Sequence, residues 1–294
     1  MKPLSDVQSL QRLAWELRLD ALKMVFGAKS GHLGGSFSSA ELITTLYFYK
    51  AHLDPRNPGW EDRDRIFVSK GHCAPVYYAA LSRLGFFPRE ELATFRQLGS
   101  RLQGHPDRLK LPGVEMSSGP LGLGASTAVG CALGLRLRRS PARVYCLLGD
   151  GETQEGIVWE SAMCAAKYAL GNLTFILDYN RYQLSGPVER VMPLEPLEQK
   201  WQSFGFEVRR IDGHDVEQIV EALDRDSPEQ PGLILALTVK GKGVSFMESS
   251  SAWHGRVPTP EEMAAAQQEI RRKLEAVPPA YDAPQTAAAP GGKS

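Results

Sequence analysis

Apolar residues along the chain follow two different spacings. From Leu10 to Phe26 they recur at Leu10, Leu13, Ala14, Leu17, Ala21 and Leu22, which predicts an amphipathic helix opened by Ser5-Asp6-Val7-Gln8 as a capping box. A second capping pattern, Ser38-Ser39-Ala40-Glu41, opens an expected helix through LITTLYFYKAHL that Pro55, Asn57, Pro58 and Gly59 break. Elsewhere the apolar residues gather in short unbroken runs, RIFVS (65–69), ARVYCLL (142–148), LTFIL (173–177), FEVRRI (206–211) and GLILALTV (232–239). Such runs predict strands buried on both faces, and the helical stretches PVYYAALSRL, ASTAVGCALGL, 155–170 and VEQIVEAL between them predict crossovers. The fold class is therefore α/β, a parallel sheet flanked by helices on both faces. Residues 88–98 read as an exposed helix with Arg and Glu on one side, and 191–201 as a Pro-rich loop.

Chemistry-bearing residues fall where these strands end. Gly149-Asp150-Gly151 closes one run, so Asp150 is expected on the rim of the sheet and not in the core, and Asn180 closes the next. One strand-helix-strand unit puts both on the carboxyl edge, where open α/β sheets bind ligands. Two hard oxygen side chains there suit Mg²⁺ or Ca²⁺, and Mg²⁺ commonly completes its shell with substrate phosphates, so the implied ligand is a metal-bound diphosphate. Histidines follow the same placement. His32 sits in the glycine-rich loop Lys29–Gly35, His72 follows a strand in Lys70-Gly71-His72, His105 opens a loop, and His254 stands in Trp253-His254-Gly255. His52 is expected at the surface. His214 is expected to organise the strand-end turn Asp212–Asp215 and to cap the next helix, with strand-end position the sole support for a ligand contact. Gly119, Gly122 and Gly124 precede a small-residue helix whose amides are a candidate anion contact.

The segment from Gly149 to Asn180 resembles the cofactor motif of thiamine diphosphate enzymes. Gln154-Glu155-Gly156, Trp159-Glu160 and Leu170-Gly171-Asn172-Leu173 within it resemble transketolases in particular. Oxo-acid dehydrogenase alpha chains share the leading Gly-Asp-Gly but typically close the motif with paired asparagines. Ser30-Gly31-His32, Ser69-Lys70-Gly71-His72, Gly104-His105-Pro106-Asp107, Gly119-Pro120-Leu121-Gly122 and Trp253-His254-Gly255 extend the resemblance over about residues 6–260. It implies a thiamine diphosphate-binding fold, with metal held by Asp150, Asn180 and the backbone carbonyl of Tyr182. It implies diphosphate and cofactor contacts from His72, Gly119, Pro120, Leu121, Gly151, Asn180 and His254, and catalytic contacts to substrate from His32, His105 and His254. Glu155 and Glu160, whose spacing alone reads as solvated carboxylates, would join an acidic network at the subunit interface. Leu123 stands where many relatives carry Gln, which leaves that contact unassigned.

The implied activity is transfer of a two-carbon ketol unit between sugar phosphates. The resemblance reaches only the first section of a complete transketolase, so the expectation is an N-terminal subunit that is active only with a C-terminal chain. That second chain would carry the pyrimidine-binding domain, as an α2β2 heterotetramer. A split enzyme acting on a modified, for example sulfonated, sugar and a non-catalytic cofactor-binding regulator are the alternatives.

Composition narrows the picture further. Lys plus Arg and Asp plus Glu are 34 each, so no net field attracts nucleic acid or an anionic membrane. Cys73, Cys131, Cys146 and Cys164 form no CxxC pair, which suggests buried free thiols and a cytoplasmic setting. No signal-type stretch opens the sequence and no run approaches the ~18 apolar residues of a membrane span. Residues 1–276 are expected to form one cofactor-binding domain, and the Pro-, Ala- and Gly-rich 277–294 a disordered tail.

Overall fold

The structure, a computed structural model, describes residues 6–225 and 227–278. It opens with α1 (Val7–Ala28), α2 (Gly34–Ser38) and α3 (Ala40–Thr45), reaches β1 (Arg65–Val68), and passes α4 (Ala74–Leu84) and α5 (Leu123–Leu137) to β2 (Val144–Gly149). Next come α6 (Gly156–Lys167), β3 (Leu173–Tyr179), the small hairpin β4 (Tyr182–Gln183) and β5 (Gly186–Pro187), α7 (Val188–Val191) and α8 (Leu197–Ser203). Then β6 (Glu207–Asp212), α9 (Val216–Asp224), β7 (Gly232–Leu237) and α10 (Pro260–Ala276) follow.

The main sheet has five strands in the order β1-β2-β3-β7-β6, and every pairing is parallel. Successive side chains point to opposite faces, so each strand feeds two cores. Tyr145, Leu147, Ile176, Ile234 and Ala236 pack under α1, α3, α4 and α9, while Val144, Cys146, Leu148, Phe175, Leu177, Leu233 and Leu235 pack under α5, α6 and α8. The second core is anchored by Trp201, which is fully buried with ring centroids 5.1 Å from Trp159, 5.8 Å from Phe175 and 5.0 Å from Phe206. Helix α4 is buried almost all round, as its apolar sequence requires, and packs against α1, α2 and α3. All four cysteines are free; Cys73 and Cys146 are buried, and Cys131 and Cys164 are half-buried.

Several local expectations give way to tertiary contacts. Ser5 lies outside the described residues, and α1 is capped by Asp6, whose carboxylate accepts from the Gln8 and Ser9 amides. The helix expected from Ser38 is broken instead into α2, α3 and a π-helical turn at Leu46–Lys50. No capping box forms there. Ser38 and Ser39 donate to the distant Asp178 carboxylate at 2.6 and 3.0 Å, and Glu41 turns inward to a bidentate pair with the fully buried Arg18. Residues 88–98 contain only a 3-10 helix, Arg89–Thr94, with Leu92 buried. The Pro-rich stretch carries α8. Asp215, not His214, caps α9, accepting from the Glu217 and Gln218 amides. The tail expected to be disordered falls, from residue 279 on, outside the described residues.

The Arg18–Glu41 pair ties α1 to α3 inside the first core, and Arg18 also donates twice to the Phe37 carbonyl. Burial alone would raise the Glu41 carboxyl, but Arg18 and His214 outweigh it and hold it at about 2. The group's folded value thus lies below its ordinary 4.5, so the stability it contributes is complete above pH 4.5 and is lost as pH falls towards 2. Glu41→Gln should therefore lower urea stability at pH 7 by about 3 kcal/mol, as for a buried pair stripped of one charge. The gap from wild type should narrow as pH falls below 4.5; a gap that stays constant down to pH 3 would mean that the carboxylate charge is not its source.

Candidate functional site

Because all five strands run the same way, their carboxyl ends share one edge, across which lie Lys70 after β1, Asp150 after β2, Asn180 after β3, Lys240 after β7 and His214 after β6. Asp150 is at that edge but is not on an open rim; it is only 2% exposed. Its burial comes from the loop after β3 folding over it. The Gly151 amide donates to Oδ1 at 2.7 Å, and the Arg181 amide donates to Oδ2. Burial, then the neighbouring Asp178 charge, pushes the Asp150 carboxyl up to about 7. Arg181 takes a left-handed conformation with φ 66°, uncommon for a side chain with a Cβ, and so turns the loop between Asn180 and Tyr182. Asn180 is oriented from both sides. Its amide nitrogen donates to Asp178, which can only accept, and its Oδ1 accepts from the Tyr182 amide at 3.1 Å. The Tyr182 carbonyl accepts from Lys240 Nζ at 3.0 Å.

Beside this oxygen-lined edge the expected imidazoles converge. Ring centroids of His32 lie 5.8 Å from His72, 5.9 Å from His105 and 5.3 Å from His254, and His72 is 5.0 Å from His254. All four are lowered from their ordinary value and so held neutral. Burial, then Arg96, takes His32 to about 4; burial, then Lys240, takes His254 to about 3; burial lowers His72 strongly, helped by Lys70, and burial with Arg96 lowers His105. Lys240 Nζ lies 2.9 Å from His254 Nδ1, and since an ammonium only donates, the His254 proton resides on Nε2. The other two histidines stand apart from the cluster. His52 is exposed beside Asp64, and His214 bonds Glu41 and the Val239 amide. A cleft of about 1180 Å³ is lined by Asn180, Arg181 and Tyr182 together with His214, Thr238 and Lys242, and none of the four clustered histidines lines it.

Charged residues to which the sequence reading gave no role organise this edge. Lys70 and Asp178 form a fully buried ion pair, and Asp178 also accepts from Ser38, Ser39, Thr238 and Asn180. Glu152 is buried and accepts from Ser69, the Gly122 amide at 2.8 Å and the Gly149 amide at 3.0 Å, so the start of α5 is already partly engaged by protein. An Asp closing an otherwise apolar strand, LTFILDY, and a Lys in the same turn as His72 were the available signals. Arg96, within 3.4 Å of His32 Nδ1 and at φ 58°, offered none.

Two features bear on whether this edge suits a phosphorylated cofactor. Ser118 Oγ and Arg96 Nε are buried without a partner among the described residues, and Ser118 and His105 both adjoin Gly71. Glycine also lets the backbone close tightly on these side chains: a Cβ on Gly71 would reach Ser118 Oγ at 2.3 Å, and one on Gly35 would come within 3.0 Å of His72. Unsatisfied donors beside the histidines suit an anionic ligand. Among the described residues no three His, Cys, Asp or Glu side chains are arranged to hold a metal ion. The oxygen set at the edge is one carboxylate, one side-chain amide and one backbone carbonyl, which suits an ion that takes its remaining ligands from water and phosphate.

The fold and this edge define a cofactor-binding α/β domain of the diphosphate type. The family profile described as "Transketolase, thiamine diphosphate binding domain" matches residues 9–276. The chain is 42% identical to the 6-deoxy-6-sulfo-D-fructose transketolase subunit of a Clostridium species, over 90% of this chain and 97% of that subunit. It is 38% identical to an apulose-4-phosphate transketolase subunit of Phocaeicola vulgatus, over 92% and 96%. Human transketolase is 38% identical over 95% of this chain, and the crystal structure of Campylobacter jejuni transketolase superposes with a TM-score of 0.85 at 35% identity, covering 90% of this chain. The chain spans nearly the whole of those two subunits, but only 45% of the human protein and 43% of the Campylobacter chain. It belongs to the transketolase family. No helix among the described residues is long and apolar enough to cross a membrane.

Lys70→Met should cost about 3–5 kcal/mol in urea unfolding, because it leaves Asp178 buried and uncompensated. The double variant Lys70→Met/Asp178→Asn should recover part of that loss. Additive losses in the double-mutant cycle would show that the two groups do not act as a pair.

Proposed function

We propose that this chain is the N-terminal, cofactor-binding subunit of a two-chain transketolase, with residues 1–276 as its working domain. Together with a second chain carrying the pyrimidine-binding domain, as a cytoplasmic α2β2 heterotetramer, it moves a two-carbon ketol unit from a ketose phosphate to an aldose phosphate in the pentose phosphate pathway. The observation that carries the reading is the cluster of four neutral imidazoles beside the sheet edge at which Asp150 and Asn180 end. Its relatives add support, since they include transketolase subunits matched almost end to end.

Asp150, Asn180 Oδ1 and the Tyr182 carbonyl would hold Mg²⁺, with Ca²⁺ an alternative. His72, His254, Gly151, Asn180 and the Gly119-Pro120-Leu121 backbone would hold the diphosphate and the body of thiamine diphosphate. When bound, the cofactor supplies the electron sink for breaking and making the carbon–carbon bond. The chain's own residues bind, orient and handle protons. Neutral imidazoles donate to sugar oxygens without repelling the metal, and His32, His105 and His254 would move protons on and off those oxygens as their charge changes. Glu155 and Glu160, both exposed at the start of α6, would meet the partner copy's acidic residues across the subunit interface.

A second reading, ketol transfer from a sulfonated ketose, is supported by the 42% identity to the Clostridium protein, against 38% to human transketolase. The test is to co-express the chain with its candidate partner chain and supply thiamine diphosphate and magnesium. Ketol transfer to ribose 5-phosphate is then assayed from xylulose 5-phosphate and from 6-deoxy-6-sulfofructose. Activity in the mixture and none with either chain alone is expected; activity of this chain alone would overturn the two-chain assignment. In that mixture, Asp150→Ala should abolish magnesium-dependent cofactor binding by calorimetry. His105→Ala should leave binding intact and lower turnover by on the order of 10²-fold; equal loss of binding and turnover would reassign it to the cofactor.

A further inference from the structure

His214 lies outside the histidine cluster, yet its ring has a single possible arrangement. Its Nδ1 is 2.9 Å from Glu41 Oε2, and its Nε2 is 2.9 Å from the Val239 amide nitrogen. A carboxylate only accepts and an amide N–H only donates, so Nδ1 carries the proton and Nε2 is bare. The side chain is 10% exposed, which keeps water from replacing either partner freely. On one side Glu41 is itself pinned by the buried Arg18, whose guanidinium also stacks 4.5 Å over the Trp15 ring. On the other side Val239 lies just past the end of β7. The Thr238 amide still bonds the Tyr179 carbonyl, but beyond it the sheet register stops, and His214 supplies the partner that a strand would have supplied.

The residue so held is followed directly by Lys240, whose ammonium bridges the Tyr182 carbonyl and His254 Nδ1. The rest of this turn is tied by the Gly241 amide to the Gly34 carbonyl at 3.0 Å and by the Ser249 amide to the Lys240 carbonyl at 2.9 Å. Gly34 has no room for a side chain, since a Cβ there would meet Lys240 carbons at 2.9 Å. Lys240 is therefore fixed after its Cα by backbone, while ahead of it the Val239 amide is held by one imidazole and the Val239 carbonyl by the Lys242 amide of the same turn. We propose that His214 is a positioning residue of the cofactor site: locked as its Nδ1–H tautomer between Glu41 and the Val239 amide, it aims Lys240 at the Tyr182 carbonyl and His254. This rests on the reading of that edge as the metal–diphosphate site, which itself assigns His214 nothing.

Two near-isosteric substitutions separate the halves of the brace. His214→Gln puts an amide oxygen near the place of Nε2 and can still accept from Val239; His214→Asn puts an amide nitrogen near the place of Nδ1, keeping Glu41 and losing Val239. Hydrogen exchange of the Val239 amide in the full chain without ligand should be slow in wild type and in His214→Gln. It should be about tenfold faster in His214→Asn, the loss of roughly one hydrogen bond. The dissociation constant for thiamine diphosphate with magnesium, by calorimetry in the two-chain mixture, should rise about tenfold in His214→Asn and stay within about threefold of wild type in His214→Gln. Thermal unfolding of the two ligand-free variants should be alike. Wild-type exchange and affinity in His214→Asn would overturn the proposal, and so would equal weakening of both variants in step with their unfolding temperatures, which is what a packing role gives. If wild type binds no cofactor while the exchange contrast holds, the brace stands and the reading of the site fails instead.

Discussion

The buried ion pair between Lys70 and Asp178 is the contact on which the carboxyl edge of the sheet depends. It joins the turn after β1 to the end of β3, and through Asp178 it gathers Thr238 after β7, Ser38 and Ser39 from the first core's helices, and the amide of Asn180. A buried pair is worth little to stability by itself, because desolvation offsets most of the attraction. Its value here is specificity of arrangement. Five donors around one carboxylate leave Asn180 a single orientation, with its amide nitrogen towards Asp178 and its oxygen turned away.

From that fixed point the edge divides into two kinds of chemistry. One side presents oxygens, the Asp150 carboxylate, the Asn180 amide and the Tyr182 carbonyl. The other presents four imidazoles that burial and neighbouring cations keep uncharged. Lys240 stands on the border, touching a carbonyl of the first set and an imidazole of the second. Burial raises the cost of every unpaired charge here, so Asp150, pushed up to about 7, binds a proton more readily than a free carboxyl does. A divalent ion would replace that proton with a stronger partner.

Much of the frame was legible in the sequence, for a physical reason. Strands buried on both faces give unbroken apolar runs, and the runs at 142–148 and 173–177 each end within two residues of the observed strand. Parallel pairing then sends the residues after each run to one edge, which is how His72, Asp150 and Asn180 could be grouped. His32, His105 and His254 needed the family resemblance to be joined to them. What the sequence hid was long-range. Ser38-Ser39-Ala40-Glu41 obeys the local rule for a cap, but the hydroxyls find a carboxylate about 140 positions away and Glu41 finds Arg18, and these buried contacts outweigh a solvated cap. Asp150 was misjudged as open because the covering loop depends on a left-handed Arg181, which no propensity marks. Glu152 is silent in sequence, and Lys70 and Asp178 are marked only by their odd placement beside apolar runs, because a charge becomes informative once its partner is known.

The division of the edge into an oxygen side and an imidazole side can be examined directly with Mn²⁺ in place of Mg²⁺. Pulsed electron paramagnetic resonance of the chain with Mn²⁺ and thiamine diphosphate reads out which nuclei lie next to the ion. The account expects phosphorus couplings from the diphosphate, with no modulation from imidazole nitrogen, and loss of the bound signal in Asp150→Ala. Strong imidazole nitrogen modulation would place the ion among the histidines and contradict it.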